Sequence, residues 1–166
     1  MKIPSVHTSY INQILNSCSQ KQRLVYETIK RLQKSVKVSN INDVKDPHLV
    51  HNMNAYINNH FELKQCYSNS CNLTEHFNNI TYCEGYVYDP MFPGLPIEHA
   101  WNCWTNPKSG RKIYFDGTFE KLLDTDVSKC DYVLVKEYNL DEVLEMKFRT
   151  ETYGLWIHEF IKIKSN

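Results

Sequence analysis

The chain has 166 residues, 42% of them hydrophobic, which is long enough for a real core and too apolar for a disordered chain. Its 19 basic and 19 acidic side chains cancel, which argues against the broad positive field that nucleic acid or an anionic membrane selects. No run approaches the ~20 apolar residues of a membrane helix, so the expectation is a cytoplasmic protein without membrane contact.

Six cysteines stand at 18, 66, 71, 83, 103 and 130. No pair has C-x-x-C spacing, and Met1-Lys2-Ile3-Pro4-Ser5 has no apolar run behind it. Free thiols in a reducing compartment are therefore expected, rather than a disulfide framework or a structural zinc. A metal held by Cys66, Cys71 and His76 is a competing idea, but no metal and no organic cofactor is expected.

One domain is expected over residues 1–166, with a helical part over 1–60. Tyr10, Ile11, Ile14, Leu15 and Cys18 fall at helical spacing, with Thr8 or Ser9 as N-cap. A second helix is expected over 20–34, with Leu24, Val25, Ile29 and Leu32 as its apolar stripe. Its Lys- and Arg-rich face reads as solvated. Residues 36–45 are polar and aperiodic and read as a loop. Asp46-Pro47 then has the form of an N-cap followed by Pro at the first helical position. Leu49, Val50, Met53, Tyr56 and Ile57 give the stripe of that helix, and His48, His51 and His60 read as surface residues.

The core is expected over 61–136. A helix from about 65 to 77 carries Cys66, Asn69, Ser70, Leu73 and Phe77 on one side. Cys66 falls in its first turn, where free amides and the positive end of the helix dipole favour a thiolate. From 80 to 88 the period changes to two, with Tyr82, Glu84, Tyr86 and Tyr88 opposite Cys83, Gly85 and Val87. The loop 89–96 holds three prolines and a glycine. Strands at 97–105 and 111–115 flank the turn Asn106-Pro107-Lys108-Ser109-Gly110 and predict an antiparallel hairpin. His99, Trp101 and Cys103 share one face of its first strand. The hairpin is expected to set Asp116 opposite His99 or one residue from it, and a slip of one residue would turn the carboxylate away.

The rest of the chain, with helices over 137–166, reads as support. Residues 132–135 form a short strand, and Asn139 with Glu142 forms a capping box. Leu155, Trp156, Phe160 and Ile161 are expected on the core, with His158 and Glu159 on the surface.

A thiol, an imidazole and a carboxylate thus come from three separate elements. Cys66 would be the nucleophile, His99 the base and later the acid, and Asp116 the group that orients His99. The Cys66 amide, or the side chain of Gln65, Asn69 or Asn102, could hold an oxyanion. Glu84 and Trp101 are further pocket candidates. Each residue has a plainer reading: a buried structural thiol, a satisfied strand histidine, a turn aspartate.

Gln-Cys-Tyr-x-Asn-Ser around Cys66, Tyr-Cys-Glu-Gly-Tyr at 82–86, Glu-His-Ala-Trp-Asn around His99 and Tyr-Phe-Asp-Gly-Thr around Asp116 resemble the transglutaminase-like branch of the papain-like cysteine hydrolases. Small bacterial and bacteriophage members of that branch are the most similar in pattern. Ser70 stands where that group commonly has Ala, and Gly117 where it commonly has Pro. The resemblance covers about a third of the chain. It implies an α+β fold, with a Cys-bearing helix packed on an antiparallel sheet. It also implies thiolate attack on an amide, isopeptide or thioester carbonyl of a peptide, protein or small acyl substrate. The alternative is a silent binding or inhibitory module of the same fold that holds a ligand or host protein in an aromatic-lined cleft.

Overall fold

The computed structural model describes residues 2–159. In chain order these form α1 (Ser5–Ser17), α2 (Gln20–Leu32), β1 (Lys34–Val36), β2 (Val38–Ser39), α3 (Pro47–His60), α4 (Cys66–His76), β3 (Ile80–Tyr88), β4 (Ile97–Thr105), β5 (Lys112–Phe115), β6 (Asp131–Tyr138) and α5 (Leu140–Thr150). The fold is α+β.

The sheet is mixed, in the order β1-β6-β3-β4-β5-β2, with β2 parallel to β5 and every other pair antiparallel. This corrects the purely antiparallel sheet that was expected. The order also explains the shape. Val36 and Val38 are two residues apart, yet they pair at opposite ends of six strands. Only a sheet that curls back on itself allows that. Its inner side is a core of Val36, Val38, Cys83, Val87, Trp101, Cys103, Tyr132 and Leu134, closed by Phe119 and Val127.

The helices lie on the outer side. α1 and α2 bury Ile11, Leu15 and Ile29 against Tyr86, Tyr88, Val133 and Val135. α3 buries Met53 and Ile57 against Ile80, Trp104, Ile113 and Phe115. α4 and α5 bury Cys71, Val143 and Met146 against Tyr82, Ala100 and Tyr138, together with Trp156. The two-residue alternation of β4 sorts its side chains between these layers, sending Trp101 and Cys103 inward and Ala100 and Trp104 outward.

Local signals set several boundaries. The Asp46 side chain accepts from the Leu49 amide, with Pro47 at the first helical position. Asn139 and Glu142 form the capping box. Elsewhere tertiary contacts prevail. α1 starts before Thr8, because His7 is drawn inside, where Nε2–H donates to Gln33 Oε1 (2.6 Å) and Nδ1 accepts from the Tyr88 hydroxyl (2.7 Å). α2 stops at Leu32, and Lys34 already belongs to β1. Leu24 and Leu32 are exposed, so the buried stripe of α2 runs through Val25, Tyr26 and Ile29. The expected loop 36–45 contains β2 and a turn of 3-10 helix, Ile41–Asp43, with Ile41 fully buried. Trp156 is fully buried as expected, whereas Leu155 is exposed; Phe160 and Ile161 lie outside the described residues. No helix among the described residues is long and apolar enough to cross a membrane.

Candidate active site

α4 begins at Cys66 after an unusual approach. Lys64 has φ 64°, and the side chain of the N-cap residue Gln65 accepts from no amide of the helix. A helix leaves its first-turn amides without intrahelical acceptors, and here no side chain among the described residues claims them. They are available to an anion beside the Cys66 sulfur. The approach is held by buried Asn69, whose Oδ1 accepts from the Glu62 amide (3.1 Å) and whose Nδ2 donates to the Glu62 carbonyl (2.8 Å). Nδ2 also reaches Thr118 Oγ1 at 3.3 Å and so ties the approach to the segment after Asp116.

Asn102 sets where α4 sits on the sheet. Its Nδ2 faces the Ser70 carbonyl (2.9 Å), Thr74 Oγ1 (3.1 Å) and the Thr81 carbonyl (3.3 Å). Ser70 and Thr74 therefore lie beside Asn102; Cys66 is one turn earlier on α4, and His99 is three residues earlier on β4. The Cys66 thiol lies close enough to the His99 imidazole to favour its charged form. The imidazole Nε2–H donates to Asp116 Oδ2 at 2.7 Å, so the contact with Cys66 falls to Nδ1. Both His99 and Asp116 are almost fully buried, whereas Cys66 is half-buried.

Asp116 lies just past the end of β5. Asn102 pairs with Phe115, so the next residues, Trp101 and Asp116, face each other. Asp116 is thus opposite Trp101, two residues from His99, and not beside His99 as the hairpin predicted. Trp101 and His99 share a face, so the carboxylate still reaches the imidazole along the diagonal. A five-residue π-helical turn, Thr118–Leu122, then takes the chain away. Asp116 Oδ1 accepts from its Phe119 amide at 3.0 Å. The Tyr132 hydroxyl donates to Oδ2 at 2.8 Å. Three donors therefore converge on this buried carboxylate.

Burial works against a charged His99, but the charge of Asp116 and its hydrogen bond outweigh burial and, with a smaller contribution from Cys66, raise the imidazole well above its ordinary range. The Phe119 ring lies 4.3 Å from the imidazole and excludes water from it. Burial pushes Cys71 and Cys83 far up, Cys103 to about 12 and Cys130 to about 11.

Cys66, His99 and Asp116 come together; of the other five candidates Glu84 lines the recess beside His99, and the remaining four serve elsewhere. Gln65 is exposed, and its Oε1 accepts from Ser68 Oγ at 3.3 Å. Asn69 and Asn102 spend their amides on backbone and hydroxyl partners. Trp101 is buried inside the sheet, edge-on to Tyr132 at 5.2 Å. Glu84 accepts from the Tyr82 hydroxyl (2.5 Å) and from the amides of Trp156 (3.2 Å) and Ile157 (2.9 Å), so it anchors the C-terminal segment. Burial raises this carboxyl to about 7, against the pull of those three donors.

Three residues outside the predicted set belong to the site. Tyr132 and Phe119 support Asp116 and His99. His158, expected on the surface, walls the His99 recess and meets Glu98 at 3.7 Å. The wall comes from the chain's other end, and its only trace in the sequence is Glu84, whose partners are main-chain amides. Among the described residues no cluster of three or more His, Cys, Asp or Glu could hold a metal.

No family model, curated protein or solved structure matches the chain.

Proposed function

We propose that this protein is a thiol-dependent hydrolase or acyltransferase that acts on an amide, isopeptide or thioester carbonyl, built on a transglutaminase-like, papain-like core. The observation that carries the reading is the buried His99–Asp116 pair at 2.7 Å, with the Cys66 thiol near enough to favour the imidazolium. A structural histidine needs no ionised partner inside the protein, and a structural cysteine needs no imidazolium.

In this reading the thiolate of Cys66 attacks the carbonyl carbon, a C–S bond forms, and the carbonyl π electrons move to oxygen. The first-turn amides of α4 receive that oxyanion. Its collapse breaks the bond to the leaving nitrogen or sulfur, which takes the proton of the His99 imidazolium. Water or an amine then attacks the thioester and gives its proton to His99. The C–S bond breaks and the thiolate returns. Asp116, held by Tyr132 and Phe119, keeps the imidazole in one orientation throughout.

The test is iodoacetamide alkylation followed by peptide mass spectrometry, in wild type and His99→Ala, across pH. Cys66 is expected to react well ahead of the other five thiols near neutral pH, and to lose that lead without His99. A Cys66 no faster than the other thiols, and indifferent to His99→Ala, would leave the silent binding module as the better account.

A further inference from the structure

We infer that the Cys66–His99 site takes a substrate whose acyl part carries an apolar group, gripped on a rim formed by Leu63, Met91, Phe92, Leu95 and Leu155. The inference rests on the proposed thiol chemistry and names the substrate class for it.

The recess beside His99 encloses only about 10 Å³, too little for a substituent. That recess therefore does not house an acyl group, which is left to the surface beside it. The topology decides what forms that rim. Cys66 lies by His99 and Ser70 by Asn102, so α4 runs parallel to β4. The start of α4, the start of β4 and the β3–β4 loop are then at one end of the molecule. Leu63 stands three residues before Cys66 and is 56% exposed. Met91, Phe92 and Leu95 in the loop leading to β4 are 79%, 56% and 63% exposed. Leu155 shares the His99 recess with Tyr67 and is 52% exposed.

Two features separate this rim from scattered surface leucines. The first is backbone strain. Leu155 has φ 59°, a left-handed conformation that a leucine adopts at a cost. It is over-determined there. Glu84 fixes the next two amides, and Gly154, whose added Cβ would fall 2.2 Å from the Tyr67 ring, lets the chain lie flat on that ring. The cost is accepted at the position that turns an apolar side chain out beside the reactive pair. The second is stiffness. Pro90, Pro93 and Pro96 fix three φ angles, and the Asp89 carbonyl and side chain bond the Phe92 and Met91 amides. A loop held in this way loses little freedom when a substrate covers Met91 and Phe92, so burial of its apolar surface goes into affinity.

The probes are acetyl-dipeptide chloromethyl ketones that differ only in whether the residue next to the electrophile is leucine, phenylalanine, serine or aspartate. Labelling of Cys66 is followed by mass spectrometry, and each rate is divided by the iodoacetamide rate of the same protein. The leucine and phenylalanine probes are expected to react about tenfold faster than the serine and aspartate probes, the worth of one partly buried apolar side chain. Leu155→Ser and Phe92→Ser should each cut that preference severalfold. Equal rates for all four probes, with iodoacetamide still selective for Cys66, would overturn the inference and leave the thiol chemistry standing. Loss of iodoacetamide selectivity would overturn both. Equal probe rates together with sedimentation on phosphatidylcholine vesicles that Phe92→Ser abolishes would assign the rim to a lipid surface instead.

Discussion

Replacing Asp116 with asparagine changes one charge at the centre of the site and tests the ion-pair account directly. In the wild type, burial alone would push the His99 imidazole below its ordinary 6.5, but Asp116 at 2.7 Å reverses the sign and holds it at about 10. The cation is therefore retained through neutral pH. Asp116→Asn removes the charge and places an amide where three donors already converge. Burial then prevails, with only Cys66 left to favour the cation, and His99 should titrate below 6.5. Labelling histidine Cε1 with carbon-13 and titrating by NMR reads this, with His99 assigned among the seven histidines by His99→Gln. A folded-state pKa raised above the unfolded one contributes stability that is fully present below 6.5 and is lost as pH climbs through about 10. Wild type should therefore weaken against urea on that alkaline limb, and Asp116→Asn should lose that dependence. A wild-type His99 titrating near 6.5, or one unmoved by Asp116→Asn, would refute the reasoning.

Tyr132→Phe removes a hydrogen bond to a buried carboxylate and should cost about 1.5–3 kcal/mol in urea unfolding while His99 stays cationic at neutral pH; no loss of stability would mean the hydroxyl is idle. Glu84→Ala orphans two buried amides and a hydroxyl and should cost roughly 3 kcal/mol or more, with Trp156 fluorescence reporting the loosened segment. Gly85→Ala puts a Cβ 2.0 Å from the Val133 carbonyl oxygen, so β6 must move; a stability loss of about 3 kcal/mol or outright misfolding is expected, and a wild-type melting curve would contradict it. Burial lowers His7, so the unfolded chain binds the extra proton first and stability falls as pH drops below 6.5; the extra acid sensitivity of wild type over His7→Gln, at most about 1.4 kcal/mol per pH unit, measures it.

Much of this molecule is decided within a few residues of chain. Asp46-Pro47 and Asn139 with Glu142 start helices because their side chains answer amides three residues on. The alternation of 80–88 and 97–105 makes strands because every second side chain can be buried. The order of Cys66, His99 and Asp116, each at the edge of an element, was legible for the same reason.

What needed the tertiary structure is whatever depends on residues far apart in sequence. Lys34–Val36 and Val38–Ser39 are too short for a periodic signal, and they are strands only because β6 and β5 offer them partners at the two ends of a curled sheet. Asp116 reaches His99 diagonally because β5 ends before the pair and a π-helical turn redirects the chain. Asn69 and Asn102 look like oxyanion donors in sequence, but folding surrounds them with carbonyls, and a buried amide must satisfy those first. Tyr132, 16 residues past Asp116, and the 154–158 segment, more than 50 past His99, enter the site because burying a carboxylate requires donors from wherever the fold can bring them. Local pattern determined which residues could react. Only the packing of distant segments decided which of them face one another, because that choice is set by shared burial rather than by sequence spacing.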